Sequence, residues 1–122
     1  MGEFQCEGRL LAEAWGLAVV TGELDIHTSD DLRRLLEQLR EQGMQHLIVD
    51  LSKVTFVDSA ALGLLVAEHR RSGPLHIVVE DSELLKLLRI TGLDGIFALH
   101  SSRYEALEAT TADTQRRRDP DE

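Results

Sequence analysis

An acid and a hydroxyl stand side by side at Asp58-Ser59, where the pattern of the chain changes from extended to helical. The apolar run at residues 47–51 is typical of a buried strand, and helical spacing of leucines begins after Ser59. A helix start exposes backbone N–H groups and the positive end of the helix dipole, which suits an anion or a phosphate. Because Ala60 and Ala61 are small, another surface can approach closely. Ser59 is therefore the strongest candidate for a functional residue.

The residue types around Ser59 are compatible with three roles for its hydroxyl. It can cap the helix, since Ser and Asp are favoured at helix starts for backbone reasons alone. It can act as a catalytic nucleophile, which requires a general base within hydrogen-bond reach and an oxyanion site. It can accept a phosphate, which would add about −1.5 to −2 charges and three acceptor oxygens. The nucleophile role is disfavoured, because the chain lacks a G-x-S-x-G elbow and its five histidines are scattered.

Composition and charge narrow the class of protein. The 122 residues suffice for one domain, and the formal net charge of −9 argues against nucleic acid as the main partner. The single Cys6 excludes an internal disulfide and has no His or Cys near it at metal-ligand spacing. No apolar run approaches the roughly 18 residues that span a bilayer, and residues 1–10 lack the core of a signal peptide. We therefore expect a cytoplasmic protein with no cofactor, no metal and no membrane insertion.

Apolar periodicity predicts strands that alternate with helices. The predicted strands cover residues 4–11, 17–20, 47–51, 75–79 and 96–99, and the predicted helices begin near Thr28, Ser59, Asp81 or Ser82, and Ser102. This order predicts an α/β fold, with a mixed sheet whose first hairpin is antiparallel and whose later strands are parallel, flanked by helices. Residues 1–111 are predicted to form a single domain, and residues 112–122 a charged, disordered tail.

Turn and capping residues predict where some of these elements end. Residues 21–22 (Thr-Gly) indicate a turn after the second strand, and Gly43 indicates the end of the first helix. That helix has one apolar face, formed by Leu32, Leu35, Leu36 and Leu39. Thr28 precedes Asp31 by three residues, which is close to a capping box with Asp in the usual Glu position. Ser102 and Glu105 have the spacing of a full capping box and predict the start of the last helix.

Three motifs, in this order along the chain, resemble the STAS domain of bacterial anti-sigma factor antagonists. They are Val20-Thr21-Gly22-Glu23-Leu24-Asp25, then Val49-Asp50-Leu51-Ser52 with Phe56-Val57-Asp58-Ser59-Ala60-Ala61-Leu62-Gly63, and last Leu88-Arg89-Ile90-Thr91-Gly92-Leu93-Asp94. The resemblance covers residues 4–110, which is most of the chain. It implies a mixed β-sheet flanked by α-helices, and a protein with no catalytic activity of its own.

By this resemblance, the unphosphorylated protein binds an anti-sigma factor that is also a serine kinase, and so frees a sigma factor for transcription. The kinase phosphorylates a hydroxyl of the Asp-Ser motif, and a serine phosphatase reverses the reaction. Ser59 is the matching hydroxyl, and Asp25 and Asp58 match acidic positions near the partner surface of the family. The predicted partner-binding residues are Asp25, Thr28, Asp58, Ser59, Ala60 and Ala61.

The chain departs from the family pattern after the Asp-Ser pair. The family often reads Asp-Ser-Ser/Thr-Gly, whereas this chain has Ala60 and Ala61 in the last two places. Ser59 is therefore the one phosphate acceptor that the motif offers, and the methyl group of Ala61 could narrow the choice of partner. Two alternatives stay open. One is a STAS binding module without phosphorylation, such as a soluble subunit of a membrane transporter or a signalling scaffold; the other is a small hydrolase that uses Ser59.

Overall fold

A computed structural model describes residues 3–11, 14–72 and 75–109. Its strands are β1 (Gln5–Leu10), β2 (Trp15–Leu24), β3 (His46–Val57), β4 (Leu75–Val78) and β5 (Ala98–His100). Its helices are α1 (Ser29–Glu41), α2 (Ser59–Ser72) and α3 (Ser82–Ile90), with a short 3₁₀ helix at Leu93–Gly95. Residues 103–109 are also helical and are called α4.

The five strands form one sheet in the order β1-β2-β3-β4-β5. The pair β1-β2 is antiparallel, and the three following pairs are parallel. Because the strand order follows the chain without reversal, right-handed crossovers place α1, α2 and α3 on the same face of the sheet. The predicted fold class, with an antiparallel first hairpin and parallel later strands, is confirmed.

The face covered by these three helices holds the main hydrophobic core. The helix α1 presents Leu32, Leu36 and Leu39 to the sheet, as its leucine spacing predicted. Leu65 of α2 and Leu88 of α3 join the same cluster and are almost fully buried. Since burial of one leucine side chain contributes about 1.5–3 kcal/mol, these stripes hold the helices on the sheet.

The opposite face of the sheet is packed by α4. Trp15 of β2 and Ala106 of α4 are buried there. Asp50, in the middle of β3, is 2% exposed and accepts hydrogen bonds from Nε and Nη2 of Arg103 at 2.9 and 2.8 Å. Burial raises the pKa of Asp50, but the bonds from the Ser52 amide and from Arg103 outweigh it and leave the pKa below its ordinary value. This ion pair links α4 to β3 of the sheet.

The strands β2 and β3 continue further than their apolar patterns predicted. The turn predicted at residues 21–22 is wrong, because Gly22 lies inside β2 with φ of 98° and marks a shift of register against β3. A side chain is excluded at Gly22, since its Cβ would lie 2.9 Å from the carbonyl oxygen of Glu3. The shifts leave Leu24 paired with Val57, so the two strands end side by side.

The predicted ends of the later elements differ in smaller ways. The last strand covers Ala98–His100 rather than 96–99. The Ser102 hydroxyl accepts the Glu105 amide at 3.1 Å, but the Glu105 carboxylate accepts the amide of Ser101 instead of completing the capping box. The predicted tail and its boundary at residue 111 lie outside the described residues. Within the described ranges, no helix has the length and apolar character needed to cross a membrane.

Candidate functional site

The loop between β2 and α1 and the start of α2 lie together at one edge of the sheet. Parallel neighbours end at the same edge, and the pairing of Leu24 with Val57 aligns the two ends. The amide of Asp58 donates to the carbonyl oxygen of Leu24 at 3.2 Å, and the amide of Ile26 donates to Oδ2 of Asp58 at 2.9 Å. The two segments that carry the predicted partner-binding residues are therefore joined directly.

Asp58, and not Ser59, caps α2. Its Oδ1 accepts the amide of Ala61 at 2.9 Å, while its Oδ2 holds the neighbouring loop through Ile26. Ser59 is the first residue of α2, and its side chain is exposed. Among the residues that the structure describes, its hydroxyl has no hydrogen-bond partner. The capping role considered for Ser59 is thus filled by its neighbour, and the hydroxyl faces solvent.

Asp25 and Thr28 shape the loop that leads into α1. Oδ1 of Asp25 accepts the amides of His27 and Thr28 at 2.9 and 3.1 Å. The Thr28 hydroxyl donates to the carbonyl oxygen of Glu23 at 2.8 Å and accepts the amide of Asp25 at 2.9 Å. The capping box predicted for Thr28 and Asp31 is wrong, because the turn before the helix engages this hydroxyl.

Two carboxylates give the site negative charge. Desolvation raises the pKa of Asp25, but the N–H groups of His27 and Thr28 outweigh it, so the pKa lies below its ordinary value. Asp58 supplies the second carboxylate, directly before Ser59. The first turn of α2, every residue of which is described, carries no acidic side chain. A further negative group at the start of α2 would therefore be stabilised by the positive end of the helix dipole, which only the Asp58 cap offsets.

The predicted partner-binding residues do not all reach the surface. Ala60 is partly exposed, but Ala61 is fully buried in the core beneath α2, so its side chain cannot contact a partner. Two exposed apolar side chains beside the site were not predicted from the sequence: Ile26, which is 65% exposed, and Phe56, which is 51% exposed. Ile26 stands alone among polar loop residues, and that isolation was the available signal.

The arrangement has the features of a contact surface rather than of a reaction centre. It combines an exposed hydroxyl, a helix start, two carboxylates and two exposed apolar side chains. In the part of the chain that the structure covers, no three His, Cys, Asp or Glu side chains gather as a metal site. A general base bonded to Ser59 is likewise missing among the described residues.

The family model of the STAS domain matches residues 16–106 of the chain. The chain belongs to the STAS domain family. The matched range contains the Asp25 loop, the Asp58-Ser59 junction and the sheet edge that joins them. The family to which the three sequence motifs pointed is therefore confirmed.

Curated relatives of this STAS domain are anti-sigma factor antagonists. The anti-sigma-B factor antagonist of Staphylococcus aureus (strain NCTC 8325 / PS 47) is 35% identical over 78 residues, which cover 61% of this chain and 72% of that protein. The anti-sigma F factor antagonist of Paenibacillus polymyxa is 26% identical over 93 residues, which cover 72% of this chain and 80% of that protein.

Solved structures share the fold of this STAS domain. An anti-sigma factor antagonist from Mycobacterium paratuberculosis superposes with a TM-score of 0.78 and 24% identity, over 88% of this chain and 93% of that one. The anti-sigma factor antagonist SpoIIAA in its unphosphorylated form has a TM-score of 0.66 and 18% identity, over 89% and 98% of the two chains. The Bacillus SpoIIAA in the phosphorylated form has a TM-score of 0.65 and 19% identity, over 88% and 99%.

Proposed function

We propose that this protein is an anti-sigma factor antagonist, whose unphosphorylated form binds an anti-sigma factor with serine kinase activity and so releases a sigma factor. Phosphorylation of Ser59 switches it off, and a serine phosphatase restores it. The proposed contact surface comprises Asp25, Ile26, Thr28, Asp58, Ser59 and Ala60. The observation that carries the proposal is the exposed hydroxyl of Ser59 beside a carboxylate that already caps α2. The functions named for the curated relatives support the same role.

A phosphate on Ser59 should leave the fold intact while it disrupts the interface. The start of a helix favours negative charge, so α2 has no electrostatic reason to unfold. In a closed interface, however, the phosphate would lie next to Asp58 and close to the Asp25 loop, where desolvation and like-charge repulsion oppose binding. A thousandfold loss of affinity requires only about 4 kcal/mol, which such repulsion can supply.

This scheme gives the protein no catalytic step. The kinase and the phosphatase carry out the covalent chemistry, and Ser59 is their substrate. The hydrolase alternative would need a base and an oxyanion site around the same hydroxyl, and no observation favours it. The surface acts by binding in one state and by failing to bind in the other.

The proposal is tested by capture from the lysate of the native cell with three baits: the wild type, Ser59→Asp and Ser82→Asp. Ser82 is the matched control, because it is the exposed first residue of α3 and directly follows the cap Asp81. We expect the wild type and Ser82→Asp to retain an anti-sigma factor with a kinase domain, identified by mass spectrometry, and Ser59→Asp to lose it.

Two other results of the capture experiment would contradict the proposal. If Ser59→Asp retains the same anti-sigma factor as the wild type, the phosphorylation switch is refuted. If all three baits capture transporter subunits instead, the protein is a constitutive STAS binding module. Circular dichroism of Ser59→Asp checks that any loss of capture does not come from unfolding.

A further inference from the structure

An open groove lies between the carboxyl-terminal half of β3 and the start of α3. It exists because β4 is short and pairs only with residues 47–50 of β3. Beyond that point the α3 start lies across from β3, and the two elements border an open space of about 160 Å³. Apolar lining comes from Val57 of β3 and from Leu84 and Leu87 of α3.

The size of this groove suits a single apolar side chain. A cavity of about 150 Å³ lined by apolar residues is large enough to take up benzene, so this volume can hold the side chain of Leu, Met or Phe. Phe56 forms part of the wall and is 51% exposed, although large apolar side chains usually lose much more of their surface. A partner side chain in the groove would cover it.

The charges around the groove determine which residues can flank the apolar side chain of the partner. Asp81 and Glu83 are exposed and line the groove, and none of the described residues that line it is Lys or Arg. The whole chain adds to this field with a formal net charge of −9. A segment with Lys or Arg beside its apolar residue is attracted here, whereas an acidic segment or a nucleotide is repelled.

The groove is lined by the residues of β3 that directly precede Ser59 and its cap in the chain. Val57 and Phe56 line it, and Asp58 and Ser59 follow them directly in the chain. We propose that the groove is a second contact for the same anti-sigma factor, and that it takes one apolar side chain flanked by Lys or Arg. This inference rests on the proposed function, and it adds the chemistry by which the partner is held beside the phosphate acceptor.

The test uses the purified kinase-type anti-sigma factors encoded in the same genome, with affinities measured by isothermal titration calorimetry. The groove variants are Phe56→Ala, which removes an exposed wall, and Glu83→Arg, which reverses a lining charge. The matched controls are Tyr104→Ala on α4, a side chain that is 70% exposed, and Glu41→Arg, exposed at the far end of α1. Ser59→Asp serves as the control for the proposed function itself.

Both groove variants should weaken binding by about tenfold or more, as truncation of a central contact does, and both matched controls should stay within about twofold. The loss for Glu83→Arg should shrink as the salt concentration rises. Thermal unfolding of each variant checks that it is folded, and the exposed Glu83 gives a result even if Phe56→Ala is destabilised.

The possible failures are distinguishable. If the wild type binds, Ser59→Asp does not, and both groove variants bind like the wild type, the groove contact is overturned and the proposed function stands. If Phe56→Ala weakens binding but Glu83→Arg does not, the basic character of the occupant is overturned. If the wild type binds none of the anti-sigma factors, the proposed function fails and the groove contact fails with it.

Discussion

Two helix starts in this protein carry the same dipeptide, Asp-Ser, yet they have different surroundings. Asp58-Ser59 begins α2 and Asp81-Ser82 begins α3. In both, the Asp side chain accepts an amide of the first turn and the following Ser is exposed. Judged by these local contacts alone, both serines are solvent-exposed residues at the start of a capped helix.

The difference lies in what surrounds each dipeptide. Asp58 also accepts the amide of Ile26, from a loop 32 residues away, and thereby joins a second acidic segment to the helix start. The first turn of α3 contains Glu83, which already offsets the helix dipole, whereas the first turn of α2 contains no acid. The candidate site is therefore defined by the sheet edge that brings two loops together and not by the Asp-Ser dipeptide.

Phosphate transfer should separate the two serines most strongly. With a purified anti-sigma factor kinase and ATP, we expect Ser59→Ala to abolish phosphate incorporation and Ser82→Ala to leave it unchanged. The reason is that only Ser59 lies beside the Asp25 loop, where the proposed complex places the active site of the kinase, whereas the α3 start beside Ser82 contacts another part of the partner. Intact-mass spectrometry measures the incorporation, and a phosphate found on the Ser59→Ala protein would show that the comparison selects the wrong hydroxyl.

The two caps should differ in their effect on stability. Asp58→Ala removes the α2 cap and the bond to Ile26, so we expect the free energy of unfolding to fall by about 2 kcal/mol. Asp81→Ala removes one capping bond and should cost about 1 kcal/mol. Urea unfolding followed by circular dichroism compares them. Equal losses would mean that the Ile26 bond contributes nothing to holding the two segments together.

A matched pair of substitutions at the second helical residue probes the helix dipoles. Ala60→Glu gives α2 the acid that α3 has in Glu83, and should raise the free energy of unfolding by about 0.5 kcal/mol. Glu83→Ala should lower it by about the same amount. Both changes should become smaller in high salt. If Ala60→Glu destabilises the protein instead, the start of α2 does not favour added negative charge, and a phosphate on Ser59 would also destabilise the fold.

Much of the fold could be predicted from local patterns, and the misses have a common cause. The leucine spacing of α1 predicted its buried stripe, and Gly43 ended the helix as expected, with φ of 95°. The extension of β2 through Gly22 was missed, because a glycine with positive φ suits either a turn or a bulge. The pairing with β3 decides between them, and that pairing joins distant segments.

The sequence pointed to candidate residues for the site, but it left open which side chain caps α2, and it did not indicate Ile26 or Phe56. Asp58 and Ser59 were selected, yet which of them caps α2 depends on the hydrogen bond that Asp58 makes with Ala61. The burial of Ala61 was available in the sequence, since it precedes the buried Leu65 by one helical turn. The burial of Glu68 was not, because Arg40 of α1, which pairs with it, lies 28 residues away.

A last and smaller difference is the dependence of stability on pH, and it comes from the Asp25 loop, which has no counterpart at α3. The pKa of Asp25 is lowered in the folded protein, so its charge contributes stability above the unfolded value of about 3.9, and that contribution is lost as the pH falls through the lowered folded value. We expect Asp25→Asn to be less stable than the wild type at pH 7. The gap in the free energy of unfolding should stay constant down to about pH 5 and should close at pH values below the ordinary pKa of Asp. Unfolding by urea at a series of pH values measures the gap. Asn keeps an oxygen that can accept the amides of His27 and Thr28. If Asp25→Asn is as stable as the wild type at pH 7, the loop therefore needs only this acceptor and not the charge of Asp25.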